Sequence, residues 1–165
     1  MATRAKTSQS LDPKDLRILA LVQRDGKLAQ AEIARRVGLS PAAINERLKK
    51  LEKSGVIRRY AAIVDPAAVG STMTAFVEVF IEHPRREPAF IERMLKLDEV
   101  QECHYVTGEF SLLLKVRVRD IQALQELLLR RLNSLEGVRQ TRTLIVLSTL
   151  KEECFVPTEV KGDAA

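Results

Sequence analysis

Residues Ala29–Ile57, AQAEIARRVGLSPAAINERLKKLEKSGVI, decide the fold of the first part of this 165-residue chain. They contain two short helical patterns, which the turn Val37-Gly38-Leu39-Ser40 joins. Gly38 stands where a helix C-terminus favours a residue without a Cβ atom, and Ser40-Pro41 is a favourable helix start. A tight, glycine-bearing turn between short helices predicts a helix-turn-helix, a motif whose second helix enters the DNA major groove.

The second of these helices is amphipathic, and charge is distributed unevenly along the chain. Ile44, Leu48 and Leu51 follow the spacing i, i+4, i+7 of a buried helix stripe, which leaves the other faces polar. Residues 1–65 hold 14 Lys/Arg against 7 Asp/Glu, a net charge of +7. Residues 66–165 hold 13 against 15, a net charge of −2. A basic module beside a nearly neutral one indicates a DNA-binding domain joined to a domain of another kind.

The polar faces of the second helix supply residues that suit DNA contacts. Asn45 is suited to adenine and Arg47 to guanine or phosphate, while Glu46 accepts from cytosine or pairs along the helix. Alanine methyls suit thymine, and the lysines and remaining arginines contact phosphate or are only solvated. The candidate DNA-contacting residues are Arg35, Ser40, Pro41, Ala42, Ala43, Asn45, Glu46, Arg47, Lys49, Lys50, Arg58 and Arg59. The alternative for the whole set is an ordinary amphipathic helix with a solvated charged face.

The first domain is predicted to be a winged helix-turn-helix over residues 11–65, linker included. Asp12-Pro13 begins its first helix, and the β-rich segment Val56–Val64 follows the third. Residues 1–10 are expected to be a flexible basic tail, which either contacts DNA phosphate or is solely solvated. The second domain is predicted to span residues 71–152, and residues 157–165 to form a loose tail.

The second domain changes the hydrophobic period from that of helices to that of strands. Met73, Ala75, Val77, Val79 and Ile81 alternate with more polar residues, as on a buried strand face. A helix after Pro88, a hairpin over residues 100–118, a helix after Asp120 and a strand over residues 138–147 complete the order βαββαβ. This order predicts an α+β chain whose second domain is ferredoxin-like. Its helices cover one sheet face only, so the other face is expected to pair with a second copy of the chain.

Several classes of protein and site are not indicated by the sequence. No apolar run reaches the roughly 20 residues that span a bilayer, and no secretory signal is present, so a cytoplasmic protein is expected. Cys103 and Cys154 are far apart and are expected to be free thiols, without a metal site or cofactor. No clustered acid, base or nucleophile indicates catalysis. Two alternatives to a ligand-responsive regulator remain: an architectural DNA-binding protein, and an enzyme of ferredoxin-like fold with a basic accessory module.

Motifs from Leu11 to about Glu152 together resemble one known family of proteins. They include Leu11-Asp12, Val37-Gly38-Leu39-Ser40, Gly55-Val56-Ile57 and Val106-Thr107-Gly108, in this order and at characteristic spacing. Glu32-Ile33-Ala34, Arg47, Leu51-Glu52, Glu102-Cys103-His104, Gly137-Val138, Thr141, Thr143, Leu147 and Lys151 belong to the same pattern. The chain resembles the leucine-responsive regulator/AsnC family of bacterial and archaeal transcription factors.

The resemblance implies partners and a ligand site that residue patterns alone do not predict. It implies binding to double-stranded DNA, and dimers that assemble further into tetramers or octamers. It also implies an amino acid or related small-molecule effector between subunits, near Thr107, Gly108, Glu109, Phe110 and Ser111. Thr141 and Thr143 either face the same site or are ordinary strand residues. Members of the family often carry Asp at the position of Ser111, so the charge that would hold an α-ammonium is missing here unless Glu109 or another subunit supplies it.

Overall fold

A computed structural model of the chain describes residues 10–158 as two compact units. The first unit combines the described residues up to Ile63 with those from Glu152 onward, and the second is Val64–Lys151. Apart from Ser10, Pro157 and Thr158, the predicted tails at 1–10 and 157–165 lie outside the described residues. No helix within residues 10–158 has the length and apolar character needed to cross a membrane.

The first unit contains the predicted helix-turn-helix. Its helices are α1 (Pro13–Arg24), α2 (Gln30–Val37) and α3 (Pro41–Lys53). Gly38 follows α2 with φ of 69°, a conformation that costs a residue without Cβ little. The Ser40 hydroxyl then accepts a hydrogen bond from the Ala43 N–H at 3.2 Å, which caps α3. The expected turn geometry between the two helices is confirmed.

A small apolar core joins the three helices. All three contribute buried side chains, which are Ile18, Leu19, Ile33, Ala34, Val37, Ile44, Leu48 and Leu51. The predicted stripe on α3 is therefore the face that packs on α1 and α2. Packing of this stripe fixes which side of α3 remains in contact with solvent.

The β-rich segment after α3 is not a strand in this structure. Residues 56–65 carry no strand assignment, and the side chain of Ile63 is 87% exposed. A strand needs a hydrogen-bonded neighbour, and the four paired strands of the described residues all lie between Met73 and Ile145. High β propensity alone was insufficient to form a ladder here.

The second unit is a four-stranded antiparallel sheet with helices, so the predicted ferredoxin-like class is confirmed. The sheet has the order β2-β3-β1-β4. A short 3₁₀ turn precedes α4, and α5 continues as a π-helical segment over Leu127–Leu132. The elements are β1 (Met73–Ile81), α4 (Glu87–Met94), β2 (Val100–Tyr105), β3 (Leu112–Val118), α5 (Ile121–Glu126) and β4 (Val138–Ile145).

The two faces of the sheet differ in burial. On β1 and β3, alternate residues such as Val77 and Leu114 are fully buried against the helices, with Met94 and Leu124 in the same core. We call the opposite side the uncovered face, because the helices of this unit pack on the other one. Its side chains include Thr74, Phe76, Glu78, Phe80, Leu113, Lys115, Arg142 and Leu144. This distinction decides which predicted ligand residues share a side of the sheet.

Candidate functional site

The solvent side of α3 presents most of the predicted DNA-contacting residues. Pro41, Ala42, Glu46, Lys49 and Lys50 are exposed. Ala43 and Asn45 are half-buried beside them. The Lys49 ammonium lies 3.9 Å from the Glu46 carboxylate, within reach of the helix pair expected at this spacing. The first turns of α3 thus expose an amide and two methyl-bearing residues, with ammonium groups further along the helix.

A cleft of about 680 Å³ runs beside this helix. Its lining includes Lys49, Lys50 and Lys53, together with Arg47, Asp12 and Asp15. The lysine ammonium groups give this side of the unit the excess positive charge that a phosphate backbone attracts. Asp12 and Asp15 bring negative charge to the same cleft, and both carboxylates pair with Arg47.

Arg47 occupies a different environment from the one expected for a base- or phosphate-contacting residue. One of its guanidinium nitrogens, Nη1, lies 2.6 Å from Asp12 Oδ2 and 2.6 Å from Asp15 Oδ1. These hydrogen bonds, to Asp12 first and then Asp15, raise the pKa of Arg47. Its side chain is 30% exposed, against 64% for Lys49. The structure therefore pairs Arg47 with carboxylates of its own domain, although the arginine also lines the cleft beside α3.

The other predicted arginines are divided between α2 and the segment after α3. Arg35 donates two hydrogen bonds to Glu32, at 2.9 and 2.7 Å, and Arg36 donates a third to the same carboxylate. Hydrogen bonds from Arg35 and then Arg36 lower the pKa of Glu32 from 4.5 to about 2. Arg58 and Arg59 are exposed in the segment that follows α3. Because Arg35 is held by a neighbour on its own helix, Arg58 and Arg59 are the arginines better placed for phosphate.

The predicted ligand turn over residues 107–111 meets a charged pair through Phe110. The Phe110 ring is buried, and the Arg142 guanidinium lies 5.2 Å from its centroid. Arg142 also donates to the Glu78 carboxylate. This bond raises the pKa of Arg142, and the charge of Glu109 adds a smaller effect in the same direction. A guanidinium paired with one carboxylate therefore lies against the buried ring of this turn.

Ser111 carries an unsatisfied polar atom at this turn. Its Oγ atom is buried and has no hydrogen-bond partner within the described residues, while its backbone carbonyl accepts from the Val106 N–H at 3.0 Å. Buried polar atoms are normally satisfied, so a lone hydroxyl here is consistent with a site that is completed by another molecule.

The structure does not bring Thr141 and Thr143 to the side of Arg142. They pair with Val79 and Val77, whose side chains are buried against the helices, so strand alternation puts them on the helix side of β4. Thr141 donates to the side chain of Asn133 at 3.1 Å. Within one subunit, these two threonines and Arg142 lie on opposite faces of the sheet.

Three features of the structure were not predicted from the sequence. The position of Arg142 beside Glu78 could have been predicted, because side-chain alternation along β4 places Arg142 on the other face of the sheet from Thr141 and Thr143. The sequence indicated that Asp12 and Asp15 cap α1, but it contained no pattern that predicts their pairing with Arg47. The C-terminal segment returns to α1, where the Gln23 side chain donates to the Val156 carbonyl at 3.1 Å and accepts from its N–H at 2.9 Å. The Arg24 guanidinium lies 5.1 Å from the Phe155 ring centroid, and no sequence pattern indicated this docking.

Comparison with known proteins yields matches for both units. Residues 74–154 match the model of the Lrp/AsnC ligand binding domain, and residues 11–58 match that of a winged helix-turn-helix DNA-binding domain. The Leucine-responsive regulatory protein of Escherichia coli strain K12 is 38% identical over 152 residues, which cover 91% of this chain and 93% of that protein.

Solved structures agree with these matches. A transcriptional regulator from Neisseria meningitidis, solved in complex with L-Met, superposes with a TM-score of 0.85 at 34% identity. The aligned region covers 90% of this chain and 97% of that one. AsnC from E. coli gives a TM-score of 0.83 at 30% identity and covers 90% of this chain and 100% of its own.

Proposed function

Because this chain belongs to the Lrp/AsnC family, we propose that it is an oligomeric, sequence-specific DNA-binding transcription regulator whose operator affinity responds to an amino acid. The observation that carries the proposal is α3, which is capped at the Gly38 turn and presents Asn45, Lys49 and Lys50 to solvent. Its solved relatives include transcriptional regulators, and we place this chain with them as a cytoplasmic non-enzyme.

In this proposal the residues of α3 divide into two groups by role. Asn45 reads a base edge, because an amide matches the donor and acceptor of adenine. Ala42 and Ala43 provide apolar contact to thymine methyls. Lys49, Lys50, Arg58 and Arg59 contact phosphates, which sets affinity and register but carries no sequence information.

Selection of duplexes from a random library with the full-length protein is the test of this function. We expect enrichment of paired half-sites separated by one helical turn or a multiple of it, since a two-fold dimer presents two α3 helices. N45A should weaken the selected site by about 5- to 150-fold per half-site, the equivalent of the roughly 1–3 kcal/mol of one bidentate base contact, and leave random DNA nearly unchanged. Q30A is the matched control, because Gln30 is an exposed amide at the start of α2. A library without enrichment would refute the proposed function.

For the effector, we propose a zwitterionic amino acid held between subunits at the turn over residues 107–111. Arg142 suits the ligand carboxylate, since a guanidinium binds a carboxylate in a bidentate manner. Glu109 suits the ligand ammonium, a role that Ser111 lacks the charge to perform. The Ser111 hydroxyl then gains the partner that it lacks in the isolated chain. The effector changes DNA affinity only if it binds two assembly states unequally, typically by 1–3 kcal/mol.

Calorimetry with L-methionine and L-leucine tests the assignment of the ammonium site. We expect E109Q to weaken binding and S111D to strengthen it, each by about 10- to 100-fold, because a hydrogen bond to a charged group contributes about 1.5–3 kcal/mol. E92Q is the control, since Glu92 on α4 pairs with Lys96 just beyond the end of that helix. Equal affinity in E109Q and the parent would contradict the role of Glu109.

A second function is an architectural DNA-binding protein without an effector. It is favoured by Ser111, because a serine hydroxyl lacks the negative charge that the family resemblance implies at this position. This alternative would be supported if none of the twenty amino acids gave binding heat with the parent, E109Q or S111D, and if none of them changed the DNA affinity of the parent.

A further inference from the structure

We infer that Arg47, Asp12 and Asp15 form a positioning unit that sets the orientation of the recognition helix α3 on α1, so that two acidic residues are required for tight DNA binding. The inference rests on the proposed function, since it concerns how the same surface is presented to DNA. It assigns to Arg47 a role inside the domain, instead of the contact with guanine or phosphate that the sequence favours.

Every carboxylate oxygen of Asp12 and Asp15 accepts a hydrogen bond within this positioning unit. The Asp15 N–H donates to Asp12 Oδ1 at 2.8 Å, and the Asp12 N–H donates to Asp15 Oδ2 at 3.2 Å. The remaining oxygen of each carboxylate, Asp12 Oδ2 and Asp15 Oδ1, accepts from Arg47 Nη1. Each carboxylate therefore caps α1 with one oxygen and holds α3 with the other. A residue in the second turn of α3 is thereby fixed to the start of α1 by two charged hydrogen bonds.

The charge of the unit makes it a poor phosphate contact. Two carboxylates and one guanidinium carry a net charge of −1, whereas nearby Lys49, Lys50 and Lys53 line the same cleft with three positive charges. A phosphate that approached Arg47 would meet Asp12 and Asp15 at 2.6 Å from the same nitrogen. Like-charge repulsion then opposes the contact, so the lysines are the phosphate partners in this cleft.

The position of Arg47 on α3 explains why its hydrogen bonds to Asp12 and Asp15 affect DNA binding. Arg47 lies one residue before buried Leu48 and two residues after Asn45, so it holds the helix segment that carries the base-reading amide. The core residues of α3 determine which side of the helix faces α1 and α2, but apolar contacts have little directional preference and leave small rotations about the helix axis possible. Two hydrogen bonds with defined directions restrict rotation about the helix axis, which sets where Asn45 points.

Substitution of the carboxylates distinguishes positioning from simple electrostatics, because the two explanations predict effects of opposite sign. D15N removes a negative charge near DNA, so electrostatics alone predicts tighter binding. The positioning role predicts weaker binding, by about 5-fold, since about 1 kcal/mol of a partly exposed pair is lost. Asn keeps an acceptor for the cap of α1. D25N is the matched control. Asp25 is an exposed carboxylate in the same helix-turn-helix domain, and it accepts a hydrogen bond from the Lys27 N–H instead of pairing with Arg47.

Full-length parent, D15N, D12N, R47A and D25N are compared by fluorescence anisotropy on a selected operator, at a temperature where circular dichroism shows every variant folded. We expect D15N and D12N to bind about 5-fold more weakly than D25N. D12N retains a favourable N-cap, so it tests the inference even where D15N unfolds. The double variant R47A/D15N should bind no more weakly than R47A, because both changes break one unit.

The dependence of affinity on salt separates the two roles of Arg47. R47A should leave the slope of log K against log salt unchanged, because no phosphate contact is lost, while K49A should flatten it. D15N binding as tightly as D25N, or R47A flattening the slope as K49A does, would overturn the inference. A parent protein that binds no duplex selectively would instead refute the proposed function, so the two failures are distinguishable.

Discussion

Raising the salt concentration from 50 to 200 mM is expected to lower the operator affinity of the full-length protein by about 10³- to 10⁵-fold. Lys49, Lys50, Arg58 and Arg59 are exposed on or directly after the recognition helix. A dimer presents about eight such cations, within the range of roughly 6–10 phosphate contacts for which a loss of this size is expected. Each contact releases condensed counterions from DNA, and this release is less favourable when the solution already holds more salt.

Single lysine substitutions test which cations take part. Because both subunits lose the ammonium, K49A and K50A should each reduce the steepness of the salt slope by about 1.8, twice the roughly 0.9 per phosphate contact. They should weaken selected and random duplexes alike, since phosphate contacts carry no sequence information. K27A is the matched control, because Lys27 is an exposed lysine of the same unit between α1 and α2. A salt slope that changes as much in K27A as in K49A would show that net charge, and not the α3 surface, governs binding.

The helices and strands of this chain could be predicted because their signals are local. The capping residues of α1 and α3, the glycine after α2 and the alternation along β1 each act over a few residues. The confirmed order βαββαβ follows from such signals and from the short connection between β2 and β3. The segment after α3 is the exception, because a strand depends on a partner as well as on propensity.

The features of the site that sequence analysis missed depend on contacts between distant residues. Arg47 looks like a DNA contact on a helix wheel, because its carboxylate partners precede it by 35 and 32 residues. Gln23 and Val156 are separated by 133 residues, and an exposed glutamine gives no indication of its partner. Thr141 and Thr143 are close to Arg142 in sequence but are placed on the other face by strand alternation. Identity and spacing define candidate residues, whereas their availability to a ligand depends on tertiary partners.

L144D is expected to convert the full-length protein from a dimer into a monomer and to weaken operator binding by about 10²- to 10⁴-fold. Leu144 lies on the uncovered face directly beside Phe76, with its side chain 48% exposed. We propose that a second copy of the chain covers this face, since an exposed apolar patch on a sheet favours association. A carboxylate beside Phe76 would then lose its hydration in the interface, and this cost opposes association. Loss of the dimer removes the avidity of two linked DNA-binding units.

The control for this prediction is another exposed leucine of the same unit. Leu129, 56% exposed, lies in the π-helical segment after α5, on the helix side of the sheet. L129D makes the same chemical change without altering the uncovered face, so it should remain dimeric in sedimentation and bind the operator like the parent. A dimeric L144D would show that the subunits associate elsewhere. In the proposed mechanism the uncovered face affects DNA binding only by joining two DNA-binding domains, whose linkage provides avidity. A monomeric L144D with parental operator affinity would therefore show that one DNA-binding domain is sufficient.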